Sequence, residues 1–214
     1  MFKKKTLRYI FVQQNSQFMT KKGEATKHSI IEKASDLFNV KGIAGTSIED
    51  VLAFAKVTRG CLLGHFRNKE ELVLASTDYL LNTNREPRLK VLESGRSAKE
   101  KIWRFIDMHK QPLRTPVFGG CPIMNLSVEA DDTNPGISKV LRKEVDDYTD
   151  MLIEILEAGK TNHEFSGTLE PEEFAYKMFT AIEGALLFCR IKNSQRPMKA
   201  VISSLKKELE SFCI

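Results

Sequence analysis

Residues 46–66 read TSIEDVLAFAKVTRGCLLGHF, and this stretch decides the fold. Thr46 or Ser47 offers an N-cap oxygen, with Glu49 or Asp50 three residues on as the reciprocal carboxylate of a capping box. Ile48, Val51, Leu52 and Ala55 recur at helical spacing, so a short helix is expected from Ser47 to Ala55. The chain reopens at Lys56 and Val57, and Thr58 then caps another short helix reaching Phe66. In that helix only Leu62 and Phe66, with Val57, need burial. The remaining positions are small, polar or basic.

Upstream, Ile30, Ile31, Ala34, Leu37 and Phe38 share one face of a helix expected from about Lys27 to Lys41, with Gly42 as its left-handed cap. Downstream, Asn68 caps a helix opened by Lys69, Glu70 and Glu71. Three short helices, with a tight turn between the second and third, describe a helix-turn-helix whose third helix enters the major groove. Gly60, Cys61 and Gly64 allow close backbone approach to phosphates, while Arg59 and His65 reach base edges or phosphate oxygens. Plain structural roles compete at three positions: a cap at Thr46, a residue favourable to the helix dipole at His65, a solvated charge at Lys69.

The chain has 214 residues, 42% hydrophobic and 29% charged, the composition of an ordinary globular protein. No run approaches 18 uncharged apolar residues, so a membrane span is not expected. Lys3, Lys4, Lys5 and Arg8 resemble a signal-peptide charge cluster, but the apolar part behind them is only Tyr9 to Val12, too short for secretion. Cysteines at 61, 121, 189 and 213 form no CxxC pair and the four histidines stand alone. Neither a metal site nor a cofactor is expected, and a cytoplasmic location follows. The net charge of +5 is uneven: residues 1–68 hold 12 Lys and Arg against 5 Asp and Glu, the remainder 21 against 23. Only the first third invites an anionic partner.

Helical periodicity continues to the end, so the fold class is all-α, about nine helices. Further helices are expected at about Ala98–His109, Pro122–Asp131, Pro135–Ala158 with Gly159 as its stop, Pro171–Lys192 and Met198–Phe212. Lys110 to Gly120 is the one long internal loop. Residues 1–22 read as an N-terminal extension, 23–72 as the DNA-binding unit and 73–214 as a larger helical unit. Met19 to Gly23 looks like an ordinary start, which makes residues 1–18 an upstream or cloned extension, or else a basic arm that tracks DNA.

From Ile30 to Leu72 the sequence resembles the tetracycline-repressor (TetR) family of bacterial regulators. The resemblance lies in Ile31-Glu32-x-Ala34-x-x-Leu37-Phe38 and Gly42, Thr46-Ser47-Ile48-x-Asp50-Val51, Gly60-x-Leu62-x-x-His65-Phe66, and Asn68-Lys69-Glu70-Glu71-Leu72. It implies a DNA-binding head on a larger ligand-binding and dimerisation domain. Carried over, Thr46 and Lys69 are phosphate contacts, and Thr58, Arg59, Cys61, Gly64 and His65 face the groove. Ser47, Gly60 and Leu63 complete the DNA-binding set. Two positions depart from the family: Leu63 replaces a tyrosine that touches the DNA backbone, and Lys56 replaces a turn glycine, which costs energy if its φ is positive.

In the larger unit Trp103, His109, Cys121, Asn125 and Phe179 are candidates for lining a ligand pocket, though such residues also build ordinary cores. Phe118 to Asn125 looks like the Gly-Cys-Pro helix start of a TetR subgroup. It sets the Cys121 thiol at a helix N-terminus, where the dipole lowers a thiol pKa and a redox or electrophile sensor is conceivable. Phe174, Met178, Ala181, Ala185 and Phe188 form one seam and Val201, Leu205 and Leu209 another. In the family these helices make a four-helix dimer interface; by periodicity alone they serve equally for internal packing. The expected function is a homodimeric repressor on a pseudo-palindromic double-stranded DNA operator, released by a small-molecule inducer, with no membrane partner. Alternatives are a DNA-binding organiser of nucleoid or division complexes, and an enzyme using Cys121 with His109 or Glu129 with Asp131. Neither of those pairs has a third catalytic partner.

Overall fold

The structure, a computed structural model, describes residues 21–214; the reading of residues 1–18 as an extension lies outside them. Among the described residues there are nine α-helices: α1 (Lys21–Lys41), α2 (Ile48–Ala55), α3 (Arg59–Leu63), α4 (Lys69–Ser94), α5 (Ala98–Asp107), α6 (Pro122–Ala130), α7 (Pro135–Thr161), α8 (Pro171–Lys192) and α9 (Arg196–Ser211). A 3-10 turn at Met108–Lys110 extends α5. No strand forms among these residues beyond a single bridge between Phe165 and Cys213.

Local chemistry sets the boundaries. Ser47, Thr58, Asn68, Ser97 and Asn134 each cap the following helix with a side-chain oxygen that accepts a backbone N–H. Proline opens α6, α7 and α8 as its missing N–H predicts. Gly42, at φ 79°, ends α1. Three ends differ from expectation by three residues or more: α3 stops at Leu63 and does not reach Phe66, because Gly64 closes it with its N–H on the Gly60 carbonyl and His65 turns back to Leu62. α1 starts at Lys21 because Lys21, Lys22, Glu24 and Ala25 are good helix formers that outweigh Gly23, on a largely exposed turn with no apolar period to mark it. α7 passes through Gly159 to Thr161, because Gly159 is buried where Phe165 and Ala98 press against the backbone.

Ile30, Ala34 and Phe38 of α1 meet Val51, Leu62, Phe66 and Leu72 in the core of the head. α4 then runs without a break from this head into the larger unit, past Pro87, which removes one N–H from its ladder. The turn is held from outside by Arg85, which pairs with Glu144 of α7, and from within by Arg88 Nε, which donates to the Asn84 carbonyl of the same helix at 3.0 Å. α5, α6 and α7 pack around the second half of α4, and α8 and α9 lie antiparallel on top, with Lys177 bonded to Glu208 and Phe174 edge-on to Phe212. Glu164, in the α7–α8 loop, accepts from the N–H groups of Ala98 and Lys99 and so caps α5.

The expected dimer seam turns inward. Phe174, Met178 and Ala185, with Leu205 and Leu209, are buried inside the protomer, and Ala181 and Val201 are half-buried. Apolar spacing identified the stripe correctly, but α7 and α9 of the same chain cover it. Phe188 alone of that set points outward, beside Tyr176, Leu187 and Ile191.

Gly159→Ala is therefore expected to destabilise the protein by about 1–3 kcal/mol through overpacking, although the same change in a free helix interior stabilises by about 1 kcal/mol. Thermal unfolding checks the sign: a raised Tm would show that Phe165 does not need the gap.

Candidate nucleic-acid interface

The capping box that opens α2 uses Ser47 and Asp50. Ser47 Oγ accepts the Asp50 N–H at 3.0 Å, and the Asp50 carboxylate takes both the Ser47 N–H at 2.9 Å and its hydroxyl at 2.6 Å. The Ser47 hydroxyl first, then its N–H and Lys41, hold the Asp50 carboxyl down at about 2. Thr46, expected at phosphate, is instead fully buried; its hydroxyl donates to the Gly42 carbonyl at 2.7 Å. A β-hydroxyl preceding the cap is the nearest donor for carbonyls at the end of α1, so its side chain is spent inside the head.

Lys56 closes α2 in the left-handed conformation, φ 55° and ψ 43°, with its N–H on the Leu52 carbonyl. The steric cost foreseen for a lysine at this turn is present. Thr58 Oγ1 accepts the Cys61 N–H and starts α3. Leu62 and Phe66 are buried at 3% and 2% exposure, whereas Thr58, Arg59, Gly60, Leu63 and Gly64 are exposed and Cys61 and His65 half-buried. A Cβ added at Gly60 would meet nothing within 4 Å. Nothing among the described residues requires a glycine there, so the bare backbone is an outward feature. Arg59 is held by Glu49 of α2, a partner the sequence did not single out. His65 turns Nδ1 inward without a hydrogen-bond partner, which leaves Nε2 for outward contact.

The head is seated on α6. Both Glu129 oxygens accept backbone N–H groups of the α1–α2 loop, Ile43 at 2.7 Å and Ala44 at 2.5 Å. Lys69, at the start of α4, donates to the Ile43 carbonyl at 2.6 Å. A Cβ at Gly42 would lie 2.7 Å from Glu129 Oε2, so this clamp and the positive φ both demand glycine. At the other end of α6, Asn125 Nδ2 donates to the carbonyls of Asn39 and Gly119, and Asn39 Nδ2 donates to those of Phe118 and Gly120. Asn125 is thus a strut to α1 and not a pocket residue. Glu129 is a clamp, not a catalytic carboxylate.

The other pocket candidates divide. Trp103 is half-buried, lining an open hollow with Lys206, Lys207 and Glu210, its ring between Lys99 and Lys206, whose ammonium is 4.3 Å from the ring centroid, away from the rest. His109, Cys121 and Phe179 share the interior between α4 and α8. His109 Nδ1 lies 2.9 Å from the Phe105 carbonyl, and burial drives its pKa down to about 4. Rings run in series from His109 to Phe105 (5.2 Å), Tyr148 (5.7 Å) and Phe179 (5.1 Å). Burial first, and the neighbouring Glu183 carboxylate next, push the Cys121 thiol up to about 12. The dipole argument for an activated thiol is overturned: desolvation outweighs one helix end. Arg88, Glu144 and Glu183 complete this interior; polar residues on an otherwise apolar face were the available signal. Among the described residues no group of three or more His, Cys, Asp and Glu could hold a metal ion, and no helix is long and apolar enough to cross a membrane.

The sequence model for the tetracycline repressor-like C-terminal domain matches residues 98–205, and that for bacterial regulatory proteins of the tetR family matches residues 30–76. The chain belongs to the TetR family. It is 33% identical over 103 residues to the HTH-type transcriptional repressor Rv3405c of Mycobacterium tuberculosis, a match covering 48% of this chain and about half, 52%, of that protein. It is 23% identical over 183 residues to the repressor NemR of Escherichia coli, covering 85% and 92% of the two chains. A TetR transcriptional regulator from Chloroflexus aurantiacus superposes with a TM-score of 0.87 at 29% identity over 91% of this chain and 98% of its own.

With the thiol raised, little thiolate exists at neutral pH. Iodoacetamide should alkylate Cys121 in the native TetR protein at least tenfold more slowly than in the urea-unfolded chain, with the native rate still climbing above pH 10. Mass spectrometry of quenched samples resolves the site, and equal rates at pH 7 would contradict the burial argument.

Proposed function

We propose that this protein is a homodimeric transcriptional repressor that binds a pseudo-palindromic operator and leaves it when a small molecule occupies the larger unit. Residues 23–72 are the DNA-binding unit and 73–214 the ligand-binding and dimerisation unit, although α4 belongs to both. The observation that carries this reading is the outer face of α3, where Gly60 presents bare backbone with no internal task, flanked by exposed Thr58, Arg59 and Gly64 and half-buried Cys61. A major groove fits that face: phosphates approach glycine backbone, and Arg59 leaves Glu49 for a base edge. Ser47 and Lys69 sit at helix starts suited to phosphate, Leu63 adds apolar contact and His65 offers Nε2.

A second copy is argued from α8. Tyr176, Leu187, Phe188 and Ile191 are 46%, 46%, 54% and 72% exposed along one stripe, a run of apolar side chains of the kind that marks an interaction face. A Cβ at Gly184, within the same stripe, would meet nothing within 4 Å, so a partner helix has room for close approach. A twofold axis through this face sets two α3 helices to read two half-sites. DNA as the partner places the work in the cytoplasm, and no chemistry of bond-breaking is assigned to it.

Selection from random duplexes should return an inverted repeat. Gly60→Ala should weaken binding to it at least tenfold while leaving Tm equal or higher, a split that separates a contact face from a structural one. Phe188→Glu should sediment as a monomer and lose the inverted repeat. Selection without any consensus, with salt-dependent binding intact, would favour a nucleoid or division-complex organiser; a dimeric Phe188→Glu protein would remove α8 as the interface.

A further inference from the structure

Arg88 of α4 and Glu183 of α8 are 4% and 6% exposed, and each keeps one polar atom without a hydrogen-bond partner, Nη2 and Oε2. Their other atoms are engaged. Arg88 Nε donates to the Asn84 carbonyl, its guanidinium lies 4.4 Å from the Tyr148 ring centroid, and Nη2 stands 3.6 Å from Glu144 Oε1, beyond hydrogen-bonding distance. Glu183 Oε1 accepts from the Cys121 thiol at 3.4 Å. Glu144 is taken up by Arg85 through both its oxygens. The donor and the acceptor left without hydrogen bonds therefore belong to oppositely charged side chains of α4 and α8, Arg88 keeping only a longer ion pair with Glu144. Buried polar atoms are seldom left so, and two of complementary kind in one aromatic-lined interior call for an occupant.

We propose that this interior binds a neutral, planar aromatic molecule carrying a hydrogen-bond acceptor beside a donor, as a carboxamide does. Its acceptor meets Arg88 Nη2, its donor meets Glu183 Oε2, and its ring packs with Tyr148 and Phe179. Neutrality follows from burial: Arg85 and Arg88 face Glu144 and Glu183, whose carboxyl pKa values desolvation already pushes up, and a ligand with net charge would bring a further uncompensated ion into this low-dielectric site. Alternation of acceptor and donor follows from the two idle atoms. This names the ligand class for the release step above and depends on that reading only for its effect on DNA.

Benzamide, benzoate and benzamidinium share shape and differ in charge and hydrogen-bond pattern, so they are the probes. On the full chain, about 10 mM benzamide should raise Tm by a few degrees, with the other two giving less than a third of that shift. Glu183→Gln leaves the interior one positive charge in excess and should turn the preference to benzoate by tenfold or more. Arg88→Gln should turn it to benzamidinium. The ranking on the unaltered protein stands as a test even where a variant fails to fold. A charged probe ranked first on that protein, no probe bound at all because buried water satisfies both atoms, or preferences that ignore the two substitutions would each overturn the proposal. Operator release is measured separately: benzamide bound without release sinks the release reading and keeps the site, whereas release by other compounds with no benzamide binding does the reverse.

Discussion

The carboxylate of Glu129 holds two successive backbone N–H groups, Ile43 and Ala44, and on that grip depends the placement of the whole DNA-binding head. Hydrogen bonds from backbone N–H to a charged acceptor contribute roughly 1.5–3 kcal/mol each, more than the few exposed ion pairs of the head supply. The loop so held leads straight into Ser47 and α2. Its geometry requires Gly42 at positive φ with no side chain, so the sequence of the loop and the clamp on α6 are one constraint.

α6 is nine residues long and touches both parts of the function. Glu129 at its C-terminal end holds the head; Cys121 at its N-terminal end meets Glu183 and Asn84 in the interior of the larger unit. Asn125, between them, ties α1 to the Gly119–Gly120 turn. A molecule bound beside Glu183 and a duplex bound on α3 therefore act on opposite ends of one short rigid element. Linkage then requires that, if the ligand prefers the arrangement that DNA does not, DNA weakens the ligand by the same factor by which the ligand weakens DNA. A differential of about 3–5 kcal/mol moves the population from mostly bound to mostly free.

The head was legible in the sequence because its signals are local. Caps, turn residues and the buried pair Leu62 and Phe66 act within four residues of one another, and helix starts from Ile48 to Lys69 follow them. Thr46 failed as a contact because two adjacent hydroxyls compete for one cap and only geometry decides that Ser47 takes it. The α8 seam was legible as buried but not as buried by what, since period 3.6 is the same against α9 or a second chain. Cys121 misled for the same reason: the helix end is local and visible, while the desolvation that outweighs it comes from α4, α7 and α8. Arg88 and Glu183 are marked only as charges on otherwise apolar faces, and Glu129 carries no local mark. Glu129 meets its partners 85 and 86 residues away in the chain, and nothing short-range announces that.

The most direct test of the account is operator affinity of Glu129→Gln, measured by fluorescence anisotropy on the duplex selected by the unaltered protein. The substitution keeps the shape of the side chain but removes its charge and sets an amide donor against a backbone N–H. A roughly tenfold loss, equivalent to about 1.4 kcal/mol, is predicted, with the dimer and the unfolding of the larger unit unchanged. Full operator affinity in a folded Glu129→Gln dimer would contradict the claim that this grip sets the head.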